Sequence, residues 1–157
     1  VVTPRYAAVI NFEYCSNIDL SGITMGHTET GDCSGNVLNF SACQNINLNS
    51  MDLFGCGVYG IGAKKGTRDV YVNNTIIRDC SYGPMNIDDV YGEFEFTNCT
   101  LTGSDGFSWF DKTDDCSLAF RNCTFGYWET SYFMFLEDII TENCTWSEEY
   151  IYPEYGY

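Results

Sequence analysis

The sequence predicts an all-β protein: a right-handed, single-stranded parallel β-helix of about six coils, each of three short strands. Three observations carry that expectation. The stretch Glu93 to Thr102, EFEFTNCTLT, returns almost unchanged as SLAFRNCTFG from Ser117 and DIITENCTWS from Asp138. Looser copies are NIDLSGITMG from Asn17, NINLNSMDLF from Asn45 and DVYVNNTIIR from Asp69. Within each copy apolar and polar residues alternate, the period of a half-buried strand. Midway through, the alternation slips by one residue.

Counted from the first apolar residue of each copy (Ile18, Ile46, Val70, Phe94, Leu118, Ile139), the periods are 28, 24, 24, 24 and 21 residues. Repeats of that length form solenoids, in which each unit buries its apolar face only by stacking on its neighbours. The first strand of a copy supplies the inward pairs Ile18 and Leu20, Ile46 and Leu48, Val70 and Val72, Phe94 and Phe96, Leu118 and Phe120. The last copy is weaker, with Thr141 in the second place. Next comes a residue that tolerates left-handed backbone: Gly22, Ser50, Asn74, Asn98, Asn122, Asn143. Beyond it the inward set is Ile23, Met51, Thr75, Cys99, Cys123 and Cys144, then Met25, Leu53, Ile77, Leu101, Phe125 and Trp146. A phase shift at such a residue means a corner between two strands.

A further strand precedes each copy: VINF (Val9 to Phe12), VLNF (Val37 to Phe40), YGIGA (Tyr59 to Ala63), PMNID (Pro84 to Asp88), FSWFD (Phe107 to Asp111) and YFMF (Tyr132 to Phe135). The helix is expected over 1–146, as part of a longer β-helix or assembly, with SEEYIYPEYGY as a C-terminal cap or tail over 147–157. Asparagines stacked at one corner, with aliphatic, aromatic and cysteine ladders inside, resemble the pectate-lyase-like β-helix superfamily. The segment GHTETGDCSGNVLNFSACQNINLNSMDLFGCGVYGI, Gly26 to Ile61, resembles bacterial extracellular β-helix repeat proteins, many of them without an assigned activity. The resemblance specifies fold far better than function.

Composition narrows the partners. The chain has 157 residues, 45% of them hydrophobic and 17% aromatic, enough for one domain with a continuous core. Against 22 acidic residues stand 7 basic ones, a net charge of −15. Such a surface repels phosphate backbones and anionic membranes, so no nucleic-acid partner is expected. It also opposes direct gripping of a polyanion unless a divalent cation bridges. No apolar run reaches membrane-spanning length, so no membrane insertion is expected.

The cysteines fall into register: Cys99, Cys123 and Cys144; Cys15 and Cys43; Cys56 and Cys80. Coils about 4.8 Å apart lie within reach of a disulfide, but parallel side chains point the same way, which suits buried thiols better. No CxxC or Cys/His spacing supports zinc; Cys33 and His27 stand without matching partners. Sequons occur at Asn73, Asn98, Asn122 and Asn143. The last three belong to the corner ladder, whose amides are expected to point inward and bond one another, excluding glycosylation; Asn73 is expected to face outward.

The resemblance implies a substrate groove over the outer face of the strand before each repeat, flanked by the entering loops. Alternation puts Asn11, Asn39, Gly60, Gly62, Asn86, Asp88, Trp109 and Asp111 on that face, then Tyr132 and Met134. The loops carry His27, Tyr59, Tyr82 and Trp128 among others. Asp88 and Asp111, with Asp89, Asp114 and Asp115 nearby, would lie side by side about 5 Å apart. Repulsion at that distance calls for a cation or a raised pKa, and calcium would find several oxygen ligands there. Paired carboxylates could equally serve a glycosidase. A solvated acidic edge is the plainer account. Trp109, Tyr82, Tyr132 and Trp128 would stack on sugar faces if exposed, or fill the core if turned inward. His27, the only histidine, suits acid–base chemistry, although a lone histidine in a glycine-containing loop more often serves as a structural hydrogen-bonder.

The resemblance further implies aspartates with a GHG loop and an RIK-like segment in hydrolases, or an Arg or Lys base beside calcium in lyases. Here GHT stands alone, only Lys64, Lys65 and Arg68 lie near the groove, and neither set is complete. The expected function is extracellular recognition of a polysaccharide by Asn39, Asn86, Asp88, Trp109, Asp111, Tyr82 and His27, non-catalytic on its own, with calcium as the cofactor at Asp88, Asp89, Asp111 and Asp114. The alternatives are a structural protein stacking end to end into a fibre, since open strand edges must be capped or paired, and an active polysaccharide lyase or glycoside hydrolase.

Overall fold

A computed structural model describes residues 2–3, 7–27, 34–56, 58–103, 116–126 and 139–147. Every strand in it pairs in parallel, and the chain winds through three sheets in strict rotation. The first complete coil is β2 (Ile10–Glu13), β3 (Ser16–Ser21) and β4 (Thr24–His27), one strand in each sheet. The second is β5 (Leu38–Ser41), β6 (Gln44–Asn49) and β7 (Asp52–Cys56). The third is β8 (Tyr59–Lys64), β9 (Thr67–Asn73) and β10 (Ile76–Cys80), and the fourth β11 (Gly83–Ile87), β12 (Val90–Thr97) and β13 (Thr100–Gly103). Two further coils each contribute two strands: β14 (Cys116–Arg121) with β15 (Thr124–Gly126), and β16 (Ile139–Glu142) with β17 (Thr145–Ser147). Ahead of them all, β1 (Val2–Thr3) pairs with β4. The fold is therefore an all-β parallel solenoid. Among the described residues four coils, not six, have all three strands; the entering strands expected at 107–111 and 132–135 lie outside those residues.

The repeat is what keeps the sheets in register. In the six-stranded sheet Ile18, Ile46, Val70, Phe94, Leu118 and Ile139 stand side by side. Ile18, Ile46, Val70, Phe94 and Leu118 are buried, as are Leu48, Val72, Phe96 and Phe120 two residues on. Phe96 stacks on Phe120 at 5.2 Å between ring centroids, and Phe12 on Phe40 at 5.3 Å. A solenoid buries residues only between coils, and the fully covered side chains accordingly cluster in the middle coils. Trp146, on the last described strand, is 41% exposed.

The corners carry the phase shift. Gly22, Ser50, Asn74, Asn98, Asn122 and Asn143 all have positive φ, between 50° and 67°. Asparagine reaches this left-handed region more readily than most residues because its short amide bonds locally. The amides do not point inward, however. Asn74, Asn98, Asn122 and Asn143 are exposed, and the bonds run along the outside of the corner: Asn98 Nδ2 to Asn74 Oδ1 at 3.2 Å, Asn74 Nδ2 to Asn49 Oδ1 at 2.9 Å. In a left-handed corner the next residue is the one turned into the core, so burial passes to Thr75, Cys99 and Cys123. The burial argument against glycosylation at these sequons falls with that expectation.

Those inward residues satisfy the corner's backbone. Cys99 Sγ donates to the Thr97 and Val72 carbonyls at 3.4 Å, and Cys123 Sγ to Arg121 and Phe96 at 3.4 Å. Cys144 repeats the pattern at 3.5 Å toward Glu142 and Phe120. Thr75 does the same with a hydroxyl, donating to Asn73 O at 2.8 Å and accepting from Met51 N at 3.2 Å. Cys15, Cys43, Cys80, Cys99, Cys116, Cys123 and Cys144 are all free thiols. Among the described residues no helix is long and apolar enough to cross a membrane.

Candidate functional site

The four-stranded sheet, in the order β11, β8, β5, β2, carries the outward row that alternation selects. Asn11 stands opposite Asn39, Asn39 opposite Gly62, and Gly62 opposite Asn86. Against this row lies an open cleft of about 260 Å³, lined by Asn39 and Asn86 from the row, Tyr59 and Lys64 from the ends of β8, Asp88 just past β11, and Asn36 from the segment before β5. Val58 adds an apolar side chain, while Ala63, whose side chain is in the core, borders it through its backbone. Three of the residues singled out from sequence, Asn39, Asn86 and Asp88, thus meet in one place.

Asn36 and Gly62 explain each other. A Cβ on Gly62 would lie 2.3 Å from Asn36 Nδ2 and 2.6 Å from Asn39 Oδ1, so only glycine leaves room for the Asn36 amide over the strand. The amide is fixed at both ends. The Tyr59 backbone N–H donates to Asn36 Oδ1 at 3.1 Å; Asn36 Nδ2 donates to Asn39 Oδ1 at 2.7 Å; Asn39 Nδ2 donates to Asn11 Oδ1 at 2.9 Å. Because the first donor is a backbone N–H, every amide after it has a determined orientation. Asn36 was not a sequence candidate. The one sequence signal for it was the glycine 26 residues later on an otherwise outward-facing position, meaningful only once the coils are stacked.

Tyr82 is 51% exposed and meets Tyr59 edge to face, ring centroids 5.9 Å apart at 69°. It thereby extends the aromatic wall that Tyr59 begins at the cleft. The side chains of Asn86, Lys64 and Asp88 have no partner among the described residues, although Lys64 and Asp88 directly follow the paired Ala63 and Ile87. Lys64 and Lys65 also stand outside the ion pairs that occupy Arg68, Arg78 and Arg121. Gly60, expected beside Gly62 on the outer face, instead faces the core, where a Cβ would meet Ile77 Cγ2 at 2.3 Å and Cys80 Sγ at 3.6 Å.

His27 is placed elsewhere. It ends β4 rather than sitting in a loop, is 2% exposed, and belongs to the seven-stranded sheet. Its Nε2 is 2.9 Å from the Ala7 carbonyl, an acceptor only, so Nε2 donates that bond; Nδ1 is buried and has no partner among the described residues. Trp109, Asp111 and Asp114, with Asp115, Trp128, Tyr132 and Met134, lie outside the described residues. Asp88 and Asp89 are exposed, and Asp89 Oδ1 already accepts from the Tyr91 hydroxyl at 3.2 Å. Among the described residues no three histidine, cysteine or carboxylate side chains converge as metal ligands. Asp88 and Asp89 alone do not make a calcium cage, which needs 6–8 oxygens.

What the cleft offers is hydrogen bonding in the plane of a sheet with an aromatic edge at one side. Among the described residues it holds no nucleophile–base pair: beyond amides, their polar side chains are one lysine, one aspartate and one tyrosine. No protein-family model, curated protein or solved structure matches the chain.

Proposed function

We propose that this protein is an extracellular carbohydrate-recognising β-helix, related in fold to the pectate-lyase-like superfamily and not catalytic on its own. The observation that carries the reading is the convergence of Asn39, Asn86, Asp88 and Tyr59 on one cleft, with Tyr82 edge to face against Tyr59. Sugars are bound by planar amide and carboxylate partners for their hydroxyls and by aromatic faces for their C–H surfaces. The amide relay favours it further, because groups held in one orientation lose little freedom when a ligand arrives. Trp109 and Asp111 would lengthen the site toward the next coil, and calcium would enter only where Asp111 and Asp114 join Asp88 and Asp89. The test is a glycan-array screen of the whole chain with and without calcium, followed by calorimetry on the best ligand. Tyr82→Ala and Trp109→Ala should each weaken binding about tenfold, as loss of a stacking contact worth about 1.4 kcal/mol would. Absence of any glycan ligand, or indifference to both substitutions, would overturn the reading.

A second reading is end-to-end stacking into a fibre. It is favoured by the way each coil is held to the next, through parallel in-register pairing in all three sheets, which a coil of a second copy can continue. Sedimentation velocity over a concentration range decides it; species that lengthen with concentration support stacking, and one compact species throughout removes it.

A further inference from the structure

The charges and hydrogen-bonding groups of the cleft deepen the carbohydrate reading, on which this inference rests, to a class of glycan. The Asn36 and Asn39 carbonyls each accept one bond in the relay, and each residue spends one N–H. A second lone pair and a second N–H remain on each. Asn86 has no side-chain partner among the described residues and offers its carbonyl and both N–H groups. Lys64 can only donate, and Asp88, as a carboxylate, can only accept. Donors and acceptors are thus mixed over one small surface. A hydroxyl group donates and accepts at once, so a ligand rich in hydroxyls finds a partner of either sense there.

Charge decides between neutral and acidic sugars. Lys64 and Asp88 directly follow the paired Ala63 and Ile87 on neighbouring coils, and Lys65 and Asp89 come next, all four exposed. Two cations and two anions at one rim cancel, so an anionic polymer finds no net attraction there. The net charge of −15 adds repulsion at longer range. A sugar carboxylate is gripped best by the planar fork of an arginine. The described arginines are engaged elsewhere: Arg68 spends Nε and Nη2 on Gln44, Arg78 holds Asp52 and Asp79, and Arg121 holds Glu95 and Glu142. Asp88 asks the ligand for a donor, which a sugar hydroxyl supplies and an ionised uronate carboxylate does not. We infer that the cleft takes a neutral, hydroxyl-rich polysaccharide and discriminates against polyuronates, with Asp88 setting the preference.

The test is affinity electrophoresis of the whole chain in gels carrying linear β-glucan, arabinan or polygalacturonate, with and without calcium. At least one neutral polymer should bind about tenfold more tightly than polygalacturonate in both buffers. Its affinity should change less than about twofold between about 20 mM and about 500 mM salt, because no ion pair forms. Asp88→Asn removes the charge and keeps an acceptor. It should weaken the neutral polymer several-fold and strengthen polygalacturonate, with an unchanged melting temperature reporting intact folding. A preference for polygalacturonate in either buffer, or an Asp88→Asn variant that moves both polymers the same way, overturns the inference and leaves the carbohydrate reading standing. Where only the glycan array gives a ligand, a neutral one supports the inference and an acidic one overturns it. If no polymer binds and the array is also blank, the carbohydrate reading falls and takes this inference with it.

Discussion

Asn36 puts its side-chain amide where a side chain at residue 62 would stand, 2.3 Å from the Cβ position of Gly62. Two residues in different coils thus share one outward place in the sheet. Gly62→Ala should push the Asn36 amide away from Asn39 and from the Tyr59 N–H. Overpacking of this kind costs about 1–3 kcal/mol, a melting-temperature fall of roughly 2–12 °C for a chain of this size. Thermal denaturation by circular dichroism reads it. Unchanged melting would mean that Asn36 leaves the row without loss.

Asn122 isolates the backbone contribution of a corner, because its φ is 54° and its amide has no side-chain partner among the described residues. Asn122→Gly should be near neutral, whereas Asn122→Val should cost about 1–2 kcal/mol for forcing a branched residue into the left-handed region. Urea titration of the two variants checks the order. Equal stabilities would show that the corner relaxes.

Thr75 and the cysteines below it in the stack do one job. Thr75→Val removes a hydroxyl that donates to Asn73 O and accepts from Met51 N, leaving the Met51 N–H short of that acceptor while the Asn73 carbonyl keeps the Ser50 N–H. The loss should be about 1–3 kcal/mol. Thr75→Cys should recover part of it, since Cys99 and Cys123 bond their corners from the equivalent place. Equal losses for valine and cysteine would count against thiol bonding at the corners.

Cys99 makes stability depend on alkaline pH. The neighbouring Cys123 thiol and burial together push the Cys99 pKa well above its ordinary value near 9. A group raised on folding stabilises fully below its unfolded pKa, and that contribution is lost as pH climbs above it. Above pH about 9 each further pH unit should remove about 1.4 kcal/mol through this residue. Denaturant unfolding of the native chain and of Cys99→Ala should therefore diverge in slope against pH above about 9, with the variant the flatter of the two. Parallel slopes would mean that Cys99 ionises as easily folded as unfolded.

Much of the fold was legible because inward residues recur at fixed offsets: Ile46, Val70, Phe94 and Leu118 align in the sheet as they align in the repeat. The left-handed corner was legible from Gly22 and the asparagines below it. The direction of the amides was not, since a left-handed backbone turns the following residue inward and leaves Asn98 and Asn122 outside. At the site, Asn39 and Asn86 followed from alternation. Gly60 did not, because strict alternation breaks at the start of β8, where Gly60 and the buried Ile61 both turn inward, and Asn36 did not, because its partner is reached only through stacking. His27 looked like a loop residue from the glycine before it, yet β4 continues through that glycine: a Cβ on Gly26 would meet Phe54 at 2.6 Å.

The coils keep register although their lengths differ, and the chain stores that difference on one side. From the seven-stranded to the four-stranded sheet it passes through 28–37 after the first coil, whereas 57–58, 81–82 and the other turns among the described residues are two residues long. Those same connections supply Asn36, Val58 and Tyr82, at or beside the cleft. Insertions and deletions before Val37 leave the stacked core untouched, so the surface beside the row can change over generations without the protein having to relearn how to fold.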